Sequence, residues 1–267
     1  MRGDSEMSAI YIPLNSFFDK KISMKDLLQA ISIVGKSKAT GIEIRRELIK
    51  EEDLLPVLQN IQPILHKADL YTVYSAPIPV WNNLGTVNEQ ALHTVLEESN
   101  FLSAKWVKLP LGHYEKKKSD LQALGKILKK YPNVSLLVEN DQTVEGGKIQ
   151  PLASFFENAS ILGLKIRMTF DIGNWAFQQE DAYEAFQIFH PYIFYFHLKH
   201  VVKQDNLFFT VPLPPEQTAD WRRIDQGISA SIPRALEFSL EKSMEEINKY
   251  IDIVQSNQGR ENSHAIN

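Results

Sequence analysis

The stretch VSLLVE, Val134–Glu139, is apolar on both faces and ends in a carboxylate. A second stretch, YIFYFHLK, Tyr192–Lys199, has the same apolar character and also ends in polar residues. Strands that are apolar on both faces are typical of parallel sheets, because helices cover such sheets on each side. The two stretches therefore predict interior strands of an α/β protein.

Outward from these two strands, short β-rich runs alternate with longer helical patterns along the whole chain. This alternation predicts parallel strands joined by helical crossovers. The predicted strands are Ala9–Leu14, Thr40–Arg45, Leu70–Ser75, Lys105–Leu109, Val134–Glu139, Ile166–Asp171, Ile193–Lys199 and Ala235–Leu240. The predicted helices are Met24–Gly35, Asp53–Ala68, Asn88–Ser99, Ser119–Tyr131 with Ser119 as a cap, Pro151–Leu162, Glu180–His190 and Lys242–Gln255.

Two α/β folds have this alternation, the (β/α)8 TIM barrel and the open doubly wound sheet. Units of about 33 residues and the lack of a glycine-rich phosphate loop after the first strand favour a single-domain TIM barrel. The barrel is expected over about residues 9–255, with 1–6 and 256–267 as flexible ends and Met1 or Met7 as the start. The proline-containing segment Val201–Ser231 is interpreted as a long loop on the catalytic face.

Composition limits the classes of partner. The 29 basic and 33 acidic residues give a net charge of −4, which argues against a nucleic-acid partner. The short basic run Lys116–Lys118 is interpreted as a solvated face. The chain has no cysteine, which excludes disulfides and a thiolate nucleophile. No apolar run has the length of a membrane span and no signal peptide is visible, so a cytoplasmic protein that does not bind membranes is expected.

Ligand-type residues end four consecutive predicted strands. Glu139 ends the fifth strand, Asp171 the sixth, His197 lies at the end of the seventh, and Glu237 lies in the eighth. The carboxyl ends of the strands in a βα barrel meet on one face, where active sites lie. Three carboxylates and one imidazole suit Mn²⁺, Mg²⁺ or Co²⁺ better than structural zinc.

Each of these residues also has a structural interpretation. Glu139 or Asp171 could cap a helix or form a salt bridge, and His197 could be a satisfied core histidine. Glu241 is a rival to Glu237, because the last helix begins just beyond both. The occurrence of four ligand-type residues at successive strand ends favours a shared site.

These motifs resemble a known family. Glu139–Asn140 after an apolar strand, Phe170–Asn174 (FDIGN) after the next and His197–Lys199 (HLK) after the third are similar to the xylose-isomerase-like superfamily of sugar and sugar-phosphate isomerases and epimerases. The resemblance covers roughly residues 9–255. It implies one divalent cation, manganese first with magnesium, cobalt or zinc as alternatives, held by Glu139, Asp171, His197 and Glu237.

The resemblance also implies an isomerase or epimerase of a keto sugar or related polyhydroxy ketone. The metal would polarise the carbonyl, while Glu139 and Glu237 remove and return the proton on the adjacent carbon. Lys199 is implied as a substrate or transition-state contact, and a salt bridge to Asp171 or Glu237 is the alternative. The implied partner is a small sugar or polyol-derived molecule, and a homo-oligomer is compatible with the resemblance.

Five further residues are candidates for binding the substrate: Lys108, Glu43, Asn174, Trp175 and Trp81. The lysine ends the fourth strand, and the glutamate lies in the second, where an ion pair with Arg45 or Arg46 is the alternative. The asparagine stands where many family members have histidine; it can hydrogen-bond a sugar hydroxyl, but it is a poorer metal ligand than histidine. The two tryptophans could form an aromatic wall against a sugar ring, with local packing as the alternative.

Two other functions fit the same residues. A lyase on this scaffold, dehydrating a keto-inositol or a dehydroshikimate-like acid, begins with the same proton abstraction and differs by its conjugated product. A barrel that binds sugar without turnover is the third hypothesis, against which the intact ligand set argues. No arginine cluster marks a phosphate site, which favours an unphosphorylated substrate.

Overall fold

Eight strands close into a parallel barrel in the computed structural model, which describes residues 7–258. They are β1 (Ile10–Pro13), β2 (Gly41–Arg45), β3 (Tyr71–Ser75), β4 (Trp106–Pro110), β5 (Ser135–Glu139), β6 (Arg167–Asp171), β7 (Ile193–Leu198) and, after the hairpin strands β8 (His200–Gln204) and β9 (Leu207–Val211), β10 (Arg234–Leu236). Consecutive barrel strands pair in parallel, and β10 closes the ring between β7 and β1. The prediction of a single-domain (β/α)8 TIM barrel is confirmed.

Helices follow the barrel strands and cover the outside of the barrel. They are α1 (Met24–Lys36), α2 (Leu54–Lys67), α3 (Glu89–Phe101), α4 (Leu121–Leu128), α5 (Ile149–Ile161), α6 (Asn174–Phe177), α7 (Ala182–Phe189), α8 (Asp220–Gln226) and α9 (Met244–Gln258). The predicted cap of α4 was wrong by one residue. Asp120 caps this helix, because its Oδ1 accepts hydrogen bonds from the backbone of Gln122 at 2.9 Å and Ala123 at 3.1 Å. The Ser119 hydroxyl instead donates to the carbonyl of Gly85.

The C-terminal helix is longer than predicted. Helix α9 continues to Gln258, so residues 256–258 belong to it rather than to a flexible end. The remaining residues of the two predicted flexible ends, 1–6 and 259–267, lie outside the described part of the chain. Within residues 7–258, no helix is both long and apolar enough to cross a membrane.

The barrel interior is filled by side chains from alternate positions of its strands. A small cluster formed by Tyr11, Val73, Leu137, Tyr195 and Ala235 lies inside the barrel, below the rim that carries the site. Gly41 allows the ring of Tyr11 to cross the interior, since a Cβ at residue 41 would lie 2.3 Å from that ring. The larger apolar cluster lies between the outer face of the sheet and the helices. The packed interior provides a rigid floor beneath the strand ends.

The segment after β7 differs from the predicted loop. Strands β8 and β9 form an antiparallel hairpin, and helix α8 follows within the same segment. Asp205 and Asn206 both have positive φ, as the type I′ form of a two-residue hairpin turn requires. This turn lacks the Asn-Gly or Asp-Gly pair that makes hairpins visible in a sequence. Phe208 of the hairpin packs against Phe177, and Thr210 lines the cavity above the barrel.

A buried arginine joins the segment before β10 to the base of the barrel. Arg234 is fully buried, and its Nε donates to Asp225 Oδ1 at 2.9 Å. Its terminal nitrogens donate to the Ser8 hydroxyl and to the carbonyl of Ile228. Asp225 also accepts a hydrogen bond from Asn257 of α9 at 2.8 Å. This network connects α8, β10, α9 and the start of β1.

We expect Arg234→Met to destabilise the fold by about 3–5 kcal/mol, because the substitution leaves the Asp225 carboxylate buried without its guanidinium. The matched control is Arg167→Met, which removes an exposed arginine from the first position of another barrel strand and should cost below about 0.5 kcal/mol. Urea unfolding followed by circular dichroism measures both changes. Equal destabilisation of the two variants would contradict the structural role assigned to Arg234.

Candidate metal centre

Four ligand-type side chains meet at the carboxyl rim of the barrel. Glu139 and Asp171 are the last residues of β5 and β6, His197 is the penultimate residue of β7, and Glu237 directly follows β10. Each offers a ligand atom, and these atoms all lie within 4.8 Å of one another. The residues come from strands that are adjacent in the barrel, although their positions span about a hundred residues of sequence. The structure therefore brings the four predicted metal ligands together.

The two nitrogens of His197 face different groups. Nδ1 lies 2.9 Å from Glu237 Oε2, 3.3 Å from Glu139 Oε1 and 3.9 Å from Asp171 Oδ2. Nε2 lies 3.1 Å from Glu43 Oε2 on the opposite side of the ring. A proton on Nε2 would be donated to Glu43, which leaves the Nδ1 lone pair directed at the three carboxylates. Histidines that bind metals in proteins commonly donate their second N–H to a carboxylate in this way.

This donor set fits a divalent cation. One imidazole nitrogen and three carboxylates converge on one small volume, and such carboxylates repel each other unless positive charge lies among them. Oxygen-rich sets with one nitrogen suit Mn²⁺ or Mg²⁺, and zinc also accepts imidazole and carboxylate ligands. The residues that would hold the ion are Glu139, Asp171, His197 and Glu237.

Two lysines contribute positive charge to the carboxylates of the site. Lys108 Nζ lies 2.8 Å from both oxygens of Glu139 and 3.1 Å from Glu43. Lys199 Nζ lies 2.7 Å from Asp171 Oδ2 and 3.2 Å from Glu237 Oε2. The ion pair proposed as the alternative role of Lys199 therefore exists, and it involves both candidate partners.

Arg45 is a site residue that the sequence did not single out. Its Nη1 donates to Glu43 at 3.0 Å and to Glu237 at 3.1 Å, and its Nε donates to Glu47 at 2.7 Å. In the sequence it was considered only as an ion-pair partner of Glu43. The neighbouring Arg46 binds Glu98 and Glu51 away from the site. Position 45 shares a strand face with position 43, and this parity was the available signal.

Buried charge shifts the pKa values at the site. Burial, with Glu237 and Glu139, raises the pKa of Asp171 to about 7, while Lys199 opposes the shift. Burial and Lys108 act to lower the pKa of His197, but the carboxylates of Glu43 and Glu237 outweigh them and raise it to about 9. Burial also disfavours the ionised form of Glu237, yet Lys199 and His197 hold its pKa well below the usual range.

Asparagines position the edge between β5 and β6. The side chain of Asn140 donates to the carbonyl of Asp171 at 2.8 Å and accepts from its N–H at 2.8 Å. Asn174, a predicted substrate contact, donates to the carbonyl of Asn140 at 2.8 Å and also lines the cavity. Asp171 Oδ1 accepts from the N–H groups of Gly173 and Asn174. Asn140 and the backbone of the Asp-Ile-Gly-Asn motif thus orient Asp171.

Gly173 provides room for a basic side chain at the site. A Cβ at this position would lie 2.6 Å from Cγ of Lys199 and 2.8 Å from a methyl group of Val201. The aliphatic part of Lys199 therefore passes directly over the backbone at Gly173, and glycine allows this close approach.

The other predicted substrate contacts occupy two different environments. Lys108 and Glu43 are buried in the ion-pair network beneath the rim. The structure does not place the two tryptophans on the cavity wall. Trp81 is fully buried and packs against Tyr114, and Trp175 is fully buried between Phe170 and Phe189. These contacts agree with the alternative interpretation, in which both tryptophans are packing residues. Burial of such large apolar rings stabilises the fold.

The cavity above the rim has a volume of about 640 Å³. Glu139 and Glu237 line it together with Lys199, Arg45 and Asn174. Its apolar wall consists of Phe17 and Phe18 after β1 and Phe238 after β10, which sequence analysis did not identify. Nothing in their local sequence marked these rings, because the cavity wall depends on which loops face each other across the barrel mouth.

Comparisons with known proteins bear on the fold. No protein-family model and no curated protein sequence matches the chain. Several solved structures are similar over nearly their whole length. An L-ribulose 3-epimerase has a TM-score of 0.72 at 12% identity, with 98% of this chain and 99% of that chain covered.

Two further structures are similar. The IolI protein with a bound zinc atom has a TM-score of 0.64 at 14% identity, with 93% of this chain and 96% of that chain covered. The probable 3-DHS dehydratase AsbF from Bacillus anthracis has a TM-score of 0.63 at 15% identity, with 96% and 99% covered. Likeness at this identity establishes the fold alone, which is a (β/α)8 TIM barrel.

We expect metal affinity to increase between pH 6 and pH 9. Asp171, with a pKa near 7, is increasingly neutral below that pH, and His197, with a pKa near 9, is cationic below it. Both groups must lose their protons to bind an ion, so protons compete with the metal most strongly at low pH. Titration calorimetry with Mn²⁺ in buffers of different ionisation enthalpy measures affinity and proton release together. An affinity that is constant over this range would contradict these assignments.

We expect Glu43→Gln to weaken Mn²⁺ binding by about 10- to 100-fold, because His197 loses the carboxylate that receives its Nε2 proton. Glu47→Gln is the matched control, since it removes another carboxylate from Arg45 without contacting His197. Calorimetry measures metal affinity, and thermal unfolding confirms that both variants fold. Equal affinities in the two variants would show that Glu43 does not position the histidine.

Proposed function

We propose that the chain is a divalent-metal-dependent isomerase or epimerase of a keto sugar or a related polyhydroxy ketone. One observation carries this proposal. Of the four candidate ligands, Asp171 and His197 have side chains that are fully buried, whereas Glu139 and Glu237 retain 13% and 9% exposure and line the cavity. The site thus combines two enclosed ligands with two carboxylates that a substrate can reach.

The bound cation would act as a Lewis acid that polarises the carbonyl of a hydroxy ketone. Glu139, Asp171, His197 and Glu237 would hold it, with manganese preferred on the chemistry of the donor set. The reaction proposed for the chain is removal of the proton on the carbon next to that carbonyl and its return, either to the same carbon from the opposite face or to the neighbouring carbon.

Glu139 and Glu237 are the proposed acid/base pair. They come from β5 and from the end of β10, so they approach the cavity from different strands. Glu139 is oriented by Lys108, which contacts both of its oxygens, and Glu237 by Asn15, Arg45 and Lys199. Two carboxylates held by separate groups can exchange protons with opposite faces of one carbon.

Lys199 is the proposed electrophilic contact beside this pair. It lines the cavity, and its ammonium lies within 3.2 Å of both Asp171 and Glu237. These carboxylates raise the pKa of Lys199 against the effect of burial, so it remains a hydrogen-bond donor to substrate oxygens near neutral pH.

The charge of the cavity favours an uncharged substrate. Within residues 7–258, the lysine and arginine side chains lining the main cavity are Arg45 and Lys199, and carboxylates already pair with each. A phosphate group would therefore find no uncommitted lysine or arginine among these lining residues. The rings of Phe17 and Phe18 offer an apolar surface for the C–H face of a sugar.

The decisive experiment is proton exchange in D₂O followed by NMR. Mn²⁺-loaded protein should introduce deuterium next to the carbonyl of ketoses such as D-fructose or L-ribulose and should form an epimer or an isomer. Glu139→Gln and Glu237→Gln should each reduce exchange by about 100-fold or more. Glu241→Gln, an exposed glutamate near the same strand end, is the matched control and should retain activity.

Other outcomes separate the alternatives. Formation of a conjugated product with a near-ultraviolet band would indicate a dehydratase with the same first step. Sugar binding that is unchanged in metal-free protein, without exchange, would indicate a non-catalytic barrel. Elemental analysis accompanies the assay, and a lack of divalent metal even after addition of Mn²⁺, Co²⁺ or Zn²⁺ would overturn the proposal.

A further inference from the structure

A second lobe opens from the main cavity beside Glu139. It has a volume of about 350 Å³, and Glu139, Asp141 and Arg45 line both it and the main cavity. Its walls come from the loops that follow β3, β4 and β5. The lobe therefore begins at a proposed acid/base residue and extends away from the metal centre.

The second lobe is preformed by backbone contacts. The N–H groups of Val80 and Trp81 donate to the carbonyls of Pro110 and Leu111, and the N–H of His113 donates to the carbonyl of Trp81. Gly112 has a φ of +73°, and a Cβ there would lie 2.2 Å from the carbonyl oxygen of Trp81. The loops after β3 and β4 are thus held closely together, and no side chain at residue 112 narrows the lobe.

The lining of the lobe combines an apolar surface with hydrogen-bond acceptors. Pro77, Pro79 and Pro110 form the apolar part. Asp141 and Glu145 supply carboxylates, and Thr143 orients Asp141 by donating to its Oδ1 from its N–H at 2.7 Å and its hydroxyl at 2.6 Å. An apolar surface next to fixed acceptors suits a group with hydroxyl donors and exposed C–H faces.

The carboxylates of the second lobe disfavour an anionic occupant. The lobe contains the carboxylates of Glu139, Asp141 and Glu145. Its basic side chains are His113 and Arg45, and Arg45 already binds Glu43 and Glu237. A phosphate or carboxylate would meet net negative charge here, whereas a neutral polyhydroxy group would not.

We propose that the second lobe is a subsite for a glycosyl unit attached to the keto sugar, so that the preferred substrate is a glycoside rather than a free monosaccharide. This proposal rests on the proposed function, because it takes the reacting carbon to lie between Glu139 and Glu237. The main cavity alone lies within the range of about 300–1,000 Å³ that accommodates whole small-molecule ligands. The additional lobe therefore provides space for a second unit.

The test compares keto sugars that share a reacting end. The probes are D-fructose, its glucosylated derivative isomaltulose, its galactosylated derivative lactulose, and D-fructose 6-phosphate. Calorimetry with Mn²⁺-loaded protein measures binding, and deuterium exchange measures turnover separately. At least one of the two disaccharides should bind more tightly than fructose by about tenfold, and the phosphate ester should bind more weakly than fructose.

Substitutions at two adjacent residues test whether the preference for disaccharides arises in the second lobe. Glu145→Trp places a ring in the lobe and should reduce the ratio of disaccharide to fructose affinity to about one. Val144→Trp is the matched control, because Val144 is 60% exposed and does not line either cavity lobe; the ratio should stay as in the parent protein. Glu145→Lys should increase affinity for fructose 6-phosphate, since it replaces negative charge in the lobe with positive charge.

The outcomes separate the two proposals. Exchange of fructose without tighter binding of either disaccharide would overturn the subsite and leave the proposed function standing. Tighter disaccharide binding that Glu145→Trp abolishes, without exchange of any probe, would support the subsite and overturn the proposed function. A preference that both tryptophan variants retain equally, or no binding of any probe, would overturn the subsite.

Discussion

The carboxylates at the barrel rim depend on compensating positive charge. Glu43, Glu139, Asp171 and Glu237 are drawn together at a buried strand edge, where isolated carboxylates would be expensive to ionise. Lys108, Lys199 and Arg45 bridge these groups in pairs, which makes the rim one connected network. Removal of one member weakens the charge compensation of the buried groups that it contacts, so the network contributes to folding as well as to the candidate metal site.

The carboxylates of the network occupy different positions relative to the cavity. Glu43 lies behind the imidazole of His197, whereas Glu139 and Glu237 extend to the cavity surface. Lys108 contacts both Glu43 and Glu139. The orientation of Glu139 is therefore linked to that of Glu43, which contacts His197. Because these charged groups contact one another, their orientations are set within the network itself. The same rigidity is expected of the floor, where the filled barrel interior leaves little space for movement.

The loops determine the shape of what can bind. Phenylalanines after β1 and β10 form one wall of the main cavity, and the hairpin of β8 and β9 contributes Thr210 near its mouth. The loops after β3 and β4 are connected by backbone hydrogen bonds and enclose the second lobe. In barrels of this type the strands supply the chemistry and the loops supply the selectivity, which is why one fold serves many substrates.

The sequence by itself determined the alternation of strands and helices and the barrel that results. These depend on local signals, namely short runs apolar on both faces and helical periodicity between them. It also identified Glu139, Asp171, His197 and Glu237 as candidates, because strand ends can be recognised locally and converge on one face of a barrel. Only the tertiary structure decided that Arg45 joins the network, that Trp81 and Trp175 pack in the core, and that the segment after β7 folds as a hairpin and a helix. Strand parity places Arg45 on the same face as Glu43, but which side chains meet across the barrel depends on contacts between distant parts of the chain.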